Sequence, residues 1–263
     1  MDEQKHELIA QVKQLREKIV ELVMEREDIL LQKNPAIEAD YMVKVGAYEV
    51  KLAEAELAAR RAKRRLAICQ AQANAGKNIK ELEIEEELDA ELEEWMVNIQ
   101  QKQMQVFSLL DRRSSSYAMA ATDSKKLKTL YRKLCKRLHP DLIPLLSDQE
   151  KNLFSGIQKA YERGDVTSLE AYLWVLDEAE DIDDERKDVE ELTAEVALLE
   201  AQVSVQEEML LQVKSSYPFN LLDKLSNANW VFETVQDLKR RTIEFENARQ
   251  AYDVKTGEVI KHA

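Results

Sequence analysis

Apolar residues return every three or four positions over most of this chain, and charged residues fill the intervals. Over residues 5–32, Leu8, Val12, Leu15, Ile19, Leu22 and Ile29 follow the four-three step of a heptad seam, with Arg26 interrupting it. Asn34-Pro35 is expected to end that helix, because the residue before proline is pushed out of the helical region. Residues 36–75 keep the same step through Tyr41, Val45, Tyr48, Leu52, Ala55, Ala59, Ala62, Leu66, Cys69 and Ala73. The alanines there let a neighbouring helix come close. Gly46 lies within this helix at some cost to it, and Gly76 ends it. A third helix, 78–111, turns Leu88, Leu92, Trp95, Ile99, Val106 and Leu110 inward, with Lys102 as its weak point. The short turn at Gly76-Lys77 makes the second and third helices antiparallel neighbours. That brings Arg60, Arg61, Lys63, Arg64 and Arg65 level with Asp89, Glu91, Glu93 and Glu94, which predicts a band of cross-helix ion pairs.

Residues 124–161 carry a different pattern. Leu127, Leu130, Tyr131, Leu134 and Leu138 make one apolar helical face, and lysines and arginines cover the rest. Asp123 or Ser124 can cap its start. Pro140 lacks an N–H, so the helix should stop at Leu138 or His139 and leave His139 and Asp141 at an exposed end. Ser147-Asp148-Gln149-Glu150 reads as a capping box opening a second helix with Phe154, Ile157, Ala160 and Tyr161 as its stripe. Gly164-Asp165 closes it. The two helices should pack face to face, with His139-Pro140-Asp141 at the tip of the hairpin. A short helix from Val166 to Ala179 can close over them with Leu169, Tyr172, Leu173 and Leu176.

Residues 178–188 are a strongly acidic run, read as a linker or helix start. Heptads resume over 187–215 with Val189, Leu192, Val196, Leu199, Val203, Leu210 and Val213. Ser215-Ser216-Tyr217-Pro218 is a turn, and a last helix is expected from Asn220 to Tyr252 with a polar tail that frays from Asp253. The fold class is therefore all-α: long antiparallel coiled-coil helices flanking a small helical hairpin. By sequence order the segments are 1–113, 114–180 and 181–263. The seams need partners, either from this chain or from a second copy in a homo-oligomer.

Composition narrows the function. Charged residues are 34% of the chain with only 5 Gly and 4 Pro, which suits long exposed helices. The formal charge of −13 argues against nucleic-acid binding through the whole surface. Cys69 and Cys135 are far apart and form no CxxC, and His6, His139 and His262 lack ligand spacing, so no metal site or cofactor is expected. No serine, cysteine or carboxylate constellation surrounds His139 beyond Asp141, so the chain is not read as an enzyme and no catalytic residues are assigned. The charged start MDEQKHELIAQ is unlike a signal peptide, and no apolar run suggests a membrane span, which points to the cytoplasm. Trp95, Trp174 and Trp230 are expected in partly buried core positions.

The Y-R-K-L at Tyr131–Leu134, the H-P-D at His139–Asp141 and the F-x-x-I-x-x-A-Y at Phe154–Tyr161 together resemble the J-domain, the module of DnaJ-type co-chaperones. The tripeptide alone would arise by chance in roughly one chain in a hundred of this length; its two flanking helices make the match specific. The resemblance covers that domain's second and third helices and the loop between them. It implies that His139, Pro140 and Asp141, with Lys125, Lys128, Arg132, Lys133, Lys136 and Arg137 of the preceding helix, dock on a DnaK-type ATPase chaperone and stimulate its ATP hydrolysis. The long helices would then bind a client protein or localise the complex.

Two features depart from the family. The Y-x-x-L-G-V first helix is absent, its place held by the linker-like Ser114–Ala121. The loop Leu142-Ile143-Pro144-Leu145-Leu146 is apolar where a lysine-bearing loop is usual. They favour the competing reading, a coiled-coil scaffold or self-assembly protein in which the J-like hairpin is degenerate. For His139 itself, the bland alternative is a helix stop whose histidine interacts only with the helix dipole. For the basic helix, the alternatives are a solvated face and, less favoured, nucleic acid.

Overall fold

A computed structural model describes residues 2–115, 121–143, 145–176 and 187–262, and every regular element among them is helical. In chain order these are α1 (Asp2–Asp28), a π-turn at Ile29–Lys33, α2 (Asn34–Tyr41), a second π-turn at Met42–Gly46, α3 (Ala47–Asn74) and α4 (Glu81–Ser115). There follow α5 (Ala121–Leu138), α6 (Asp148–Glu162), α7 (Val166–Val175), α8 (Val189–Ser215), α9 (Leu222–Ser226) and α10 (Ala228–His262). Contacts gather them into two compact units, Met1–Ile37 with Tyr117–Asn220 and Glu38–Ser116 with Leu221–Ala263. The three consecutive segments read from the sequence follow chain order, whereas each unit joins two stretches that are separated in the chain.

Asn34-Pro35 does not end the first helix. A proline in a helix loses one hydrogen bond and crowds the carbonyl four residues back. The π-turn just before it lets the Asn34 N–H reach Ile29 O, five residues back, and the backbone stays helical. A second π-turn takes up Gly46 in the same way, with the Ala47 N–H reaching Met42 O.

In the first unit, α1 and α8 pack through Val12, Ile19 and Val23 against Leu192, Val196, Leu199 and Val203. They run parallel. Arg16 meets Glu195, Arg26 meets Gln206 at 2.9 Å and Glu25 meets Lys214 at 2.6 Å, so later residues pair with later residues. The hairpin α5–α6 carries its own core of Leu127, Tyr131, Leu134 and Leu138 against Phe154, Ile157 and Tyr161, as its pattern predicted. α7 closes it with buried Leu169 and with Tyr172 and Leu173 packed against the core. Gly156 makes room for that closure: a Cβ there would lie 2.6 Å from the Tyr172 hydroxyl.

In the second unit, α3 and α4 are antiparallel as expected. Arg61 reaches Glu85 and Asp89, both at 2.6 Å, while Arg65, further along, reaches the earlier Glu81 at 2.8 Å. α10 runs parallel to α3: Val45 and Leu52 cluster with Leu238, and Cys69 lies near Val259 and Ile260. The antiparallel direction read for the long helices thus holds for α3 and α4, which a short turn joins. The pairs α1–α8 and α3–α10 are parallel, and the long intervening chain supplies their crossovers.

Local signals set the helix ends. Gly76 at φ 64° ends α3 with Lys77 N–H bonded to Gln72 O at 3.0 Å, and Gly164 at φ 72° ends α6 with Asp165 N–H on Ala160 O at 2.9 Å. Ser147 and Glu150 form the expected capping box, and Asp188 and Glu191 form another at the start of α8. Asp123 and Ser124 fall inside α5 instead of capping it, because that helix begins at Ala121. The last helix is broken where one was expected to run on: Asn227 leaves the helical region and its side chain accepts the N–H of Asn229 at 3.0 Å. α10 then continues to His262 with Thr256 buried, so the segment from Asp253 does not fray. Trp174 is 81% exposed, not part of a core. Residues 116–120 and most of the acidic run 178–188 lie outside the described residues.

Candidate docking site at the His139–Asp141 turn

α5 ends at Leu138 as Pro140 requires, and the chain turns with the Leu142 and Ile143 N–H groups both bonded to His139 O at 2.9 Å. Pro140 is exposed at the tip. Its neighbours are not free as expected. His139 is buried, at 3% exposure, with its ring edge-on to Phe154 at 4.9 Å between centroids. Its Nδ1 accepts the Asp141 N–H at 3.1 Å, and its buried Nε2 faces Glu27 Oε1 at 3.5 Å without a hydrogen-bond partner. Asp141 is half-buried and ion-paired: its Oδ2 lies 2.6 Å from Arg26 Nη2. The exposed helix end inferred from Pro140 is thus corrected. Proline fixes where the helix stops but says nothing of what packs on the stop.

What packs there is the end of α1. Arg26, Glu27 and Asp28 are three successive charged residues, and all three are buried. Glu27 Oε2 accepts the Tyr131 hydroxyl and the Gln158 amide, each at 3.0 Å. Asp28 accepts the Tyr161 hydroxyl at 3.0 Å and pairs with Lys128 at 3.0 Å and Lys33 at 3.3 Å. Arg26 also donates to Gln206 of α8 at 2.9 Å and approaches Met209 Sδ at 3.2 Å. Burial alone would raise the Glu27 carboxyl, but the facing His139 ring and the donors of Gln158 and Tyr131 outweigh it and hold the group below the ordinary range. Asp28 is lowered likewise: burial opposes ionisation, and Lys128, Tyr161 and Lys33 prevail. Burial first, then Cys135 and Glu27, push the Tyr131 hydroxyl far up; burial and Asp28 do the same to Tyr161. The two tyrosine rings stack at 4.0 Å, so one aromatic pair delivers two hydroxyls to two adjacent carboxylates.

The basic face of α5 is partly engaged. Arg132 and Lys136 both reach Glu17 of α1, Lys136 at 2.6 Å. Lys126 pairs with Glu170 of α7 at 2.6 Å, and Arg137 donates to Leu176 O at the end of α7. Lys125 lines an open cleft with Lys128, Arg132 and Asp28, and Lys133 is exposed. Arg26, Glu27, Asp28 and Gln206 were missed as site residues, although a signal existed. Arg26 stands where the α1 seam calls for an apolar residue, and Gln206 does so between Val203 and Leu210 of α8. Two polar residues in two facing seams mark a buried polar contact.

Among the described residues, no group of three His, Cys, Asp or Glu side chains is placed to hold a metal ion. No described helix is long and apolar enough to cross a membrane. Comparison with protein-family models, with curated proteins and with solved structures finds no match to this chain.

Proposed function

We propose that this chain is a J-domain-type co-chaperone of the kind lacking zinc and Gly/Phe regions, acting in the cytoplasm. It would dock on a DnaK-type ATPase through His139, Pro140, Asp141 and the basic face of α5, and stimulate ATP hydrolysis without performing chemistry itself. The observation that carries the reading is the placement of the tripeptide. It sits at the tip of a basic helix whose Tyr131 and Leu134 pack against Phe154, Ile157 and Tyr161 of the next helix, the positions on which the resemblance rests. Exposed Pro140, Lys125 and Lys133 offer the first contact, and association through them should weaken at high salt.

The test is ATP turnover by purified DnaK with the full chain. Stimulation that disappears in Asp141→Asn and His139→Gln supports the proposal. No stimulation by the wild type and none by Arg26→Ala, which frees Asp141, defeats it; so does stimulation indifferent to both tip substitutions. A second reading is favoured by one observation, the Arg26–Asp141 pair at 2.6 Å beside a buried His139. In that reading the hairpin is a degenerate J-like spacer in a coiled-coil scaffold, and the tip serves only to fasten α1. Its mark is a chain that never binds DnaK, opened or not.

A further inference from the structure

The contacts made by α1 on the hairpin have a common target. Both polar side chains of the tripeptide are covered: Asp141 is paired with Arg26 at 2.6 Å, and buried His139 faces Glu27 at 3.5 Å. Three of the basic residues on α5 are taken as well, Lys128 by Asp28 and Arg132 and Lys136 by Glu17. All four α1 residues lie on one helix between Glu17 and Asp28, a span of about three turns. Glu17, Glu21 and Asp28 recur at steps of four and seven, so one edge of α1 presents carboxylates to α5, and Glu21 adds a contact to Arg132 at 3.6 Å. We propose that this edge is a built-in competitor: α1 occupies the surface that an acidic partner would use, and the partner and α1 exclude each other. The inference rests on the co-chaperone reading for the identity of that partner, an acidic face of a DnaK-type chaperone.

The contacts are graded in a way that suits a latch. At the rim, Glu17 and Lys136 are 43% and 44% exposed, so water and salt reach that pair. Inside, the Arg26 and Glu27 side chains are 11% and 6% exposed and lie 3.6 Å apart. Arg26 has a second anchor in Gln206 and Met209, which puts a handle on α8. Loosening α8 from α1 would therefore weaken the grip on Asp141 without touching the hairpin. An arginine at a heptad position destabilises a seam unless it is used, and here its use is to reach out of the seam to the tripeptide.

Competition makes a quantitative demand. If closure and partner binding exclude each other, a substitution that raises the open population raises apparent partner affinity by the same factor, until the open form dominates. Closure can be read without any partner, because Cys135 is fully buried on α5 beside Tyr131, within the electrostatic reach of Arg26 and Glu27. In a Cys69→Ala background, its rate of reaction with an aromatic disulfide reagent reports opening. The full chain is compared as wild type, Glu17→Gln and Arg26→Ala, with binding to purified ATP-state DnaK measured in parallel.

Expected are severalfold faster labelling in Glu17→Gln, tenfold or more in Arg26→Ala, and tighter DnaK binding in the same order. Labelling of the wild type should also quicken with salt, and that of Glu17→Gln less so. Unchanged labelling in both variants overturns the latch whatever DnaK does. Faster labelling with DnaK binding no tighter than a binding wild type overturns the competition. Faster labelling with no variant binding DnaK overturns the co-chaperone reading and the competitor role with it, while the closure itself stands. Glu17→Gln lies at the solvent edge and keeps the test decisive should Arg26→Ala unfold the unit.

Discussion

Two clusters of charge hold helices together in this chain, and they are built on opposite terms. Between α3 and α4, Arg61, Arg64 and Arg65 face Glu81, Glu85, Glu87, Asp89 and Glu91, at distances down to 2.6 Å, on side chains that are 28% to 61% exposed. Between α1 and the α5–α6 hairpin, Arg26, Glu27 and Asp28 are buried with every carboxylate hydrogen-bonded to a named donor. In the first case water competes for each ion, and a pair is worth a fraction of a kcal/mol up to about 1. In the second, a charge left without its partner has no water to return to. Similar residue types therefore give a tolerant, salt-sensitive fastening in one unit and an intolerant, specific one in the other.

The sharpest way to break that comparison is Glu27→Ala. It strips the acceptor from Tyr131 and Gln158 at once, removes the carboxylate that His139 faces, and leaves Arg26 near one carboxylate fewer. The first unit should lose about 3–5 kcal/mol, read as a fall in urea midpoint with the slope retained. A loss below about 1 kcal/mol would mean that water already reaches this cluster and that burial is not what separates the two regions.

How much of this was legible in the sequence follows the same division. The α3–α4 ion band was readable because a short turn fixes which residues come level, and charges on a solvated face need only proximity. The band sits closer to the turn than expected, with Glu81 and Glu85 as partners, and Arg60 lies over the Trp95 ring at 4.4 Å instead. The hairpin core, its capping box and its terminating glycine were also readable, since each is set by residues within a few positions. The burial of His139 and the pairing of Asp141 were not. Both depend on a segment more than a hundred positions earlier in the chain, and heptad periodicity names a face without naming its partner. Pro35 misled for a related reason: a proline signals a lost hydrogen bond, but the π-turn that absorbs the loss has no comparable sequence mark.

Acid should separate the two regions next. Glu27 and Asp28 are held below the ordinary carboxylate range, so the unfolded chain binds protons on them more readily than the folded one. Their contribution is complete above about pH 5 and drains away as pH falls through their folded values. The urea midpoint of the first unit should fall steeply below about pH 4, and Glu27→Gln should flatten that slope. Tyr131 and Tyr161 act at the other end: both are raised, so their contribution holds below about pH 10 and is lost above it as the unfolded tyrosines ionise. A midpoint that does not move between pH 7 and pH 3.5 removes the carboxylates from the account.

A packing change in the same unit should be felt without any charge. Gly156→Ala places a Cβ 2.6 Å from the Tyr172 hydroxyl, and an aromatic ring held by the hairpin core yields less readily than a flexible chain end. The expected cost is about 1–3 kcal/mol in thermal or urea unfolding. Tyr172→Phe in the same chain should recover part of it, because the clashing atom is the hydroxyl oxygen. No recovery would place the strain in α6 itself.

The smallest effect should come from the ion band. Arg61→Met keeps much of the apolar stem along α3 and removes the pairs to Glu85 and Asp89, one of the best-connected contacts of that face. Glu85 still has Arg65 at 3.1 Å, and Asp89 is 61% exposed, so water takes over what the arginine gave up. The loss should stay within about 1 kcal/mol at low salt and vanish in 1 M salt, where screening acts within about 3 Å. The useful control is the same salt titration on Glu27→Gln, whose deficit should persist because ions do not enter the space between Tyr131, His139 and Gln158. If the Arg61→Met deficit persisted in salt as well, the band would be more than a solvated fastening, and the contrast between the two units would rest on the number of contacts instead of on access to water.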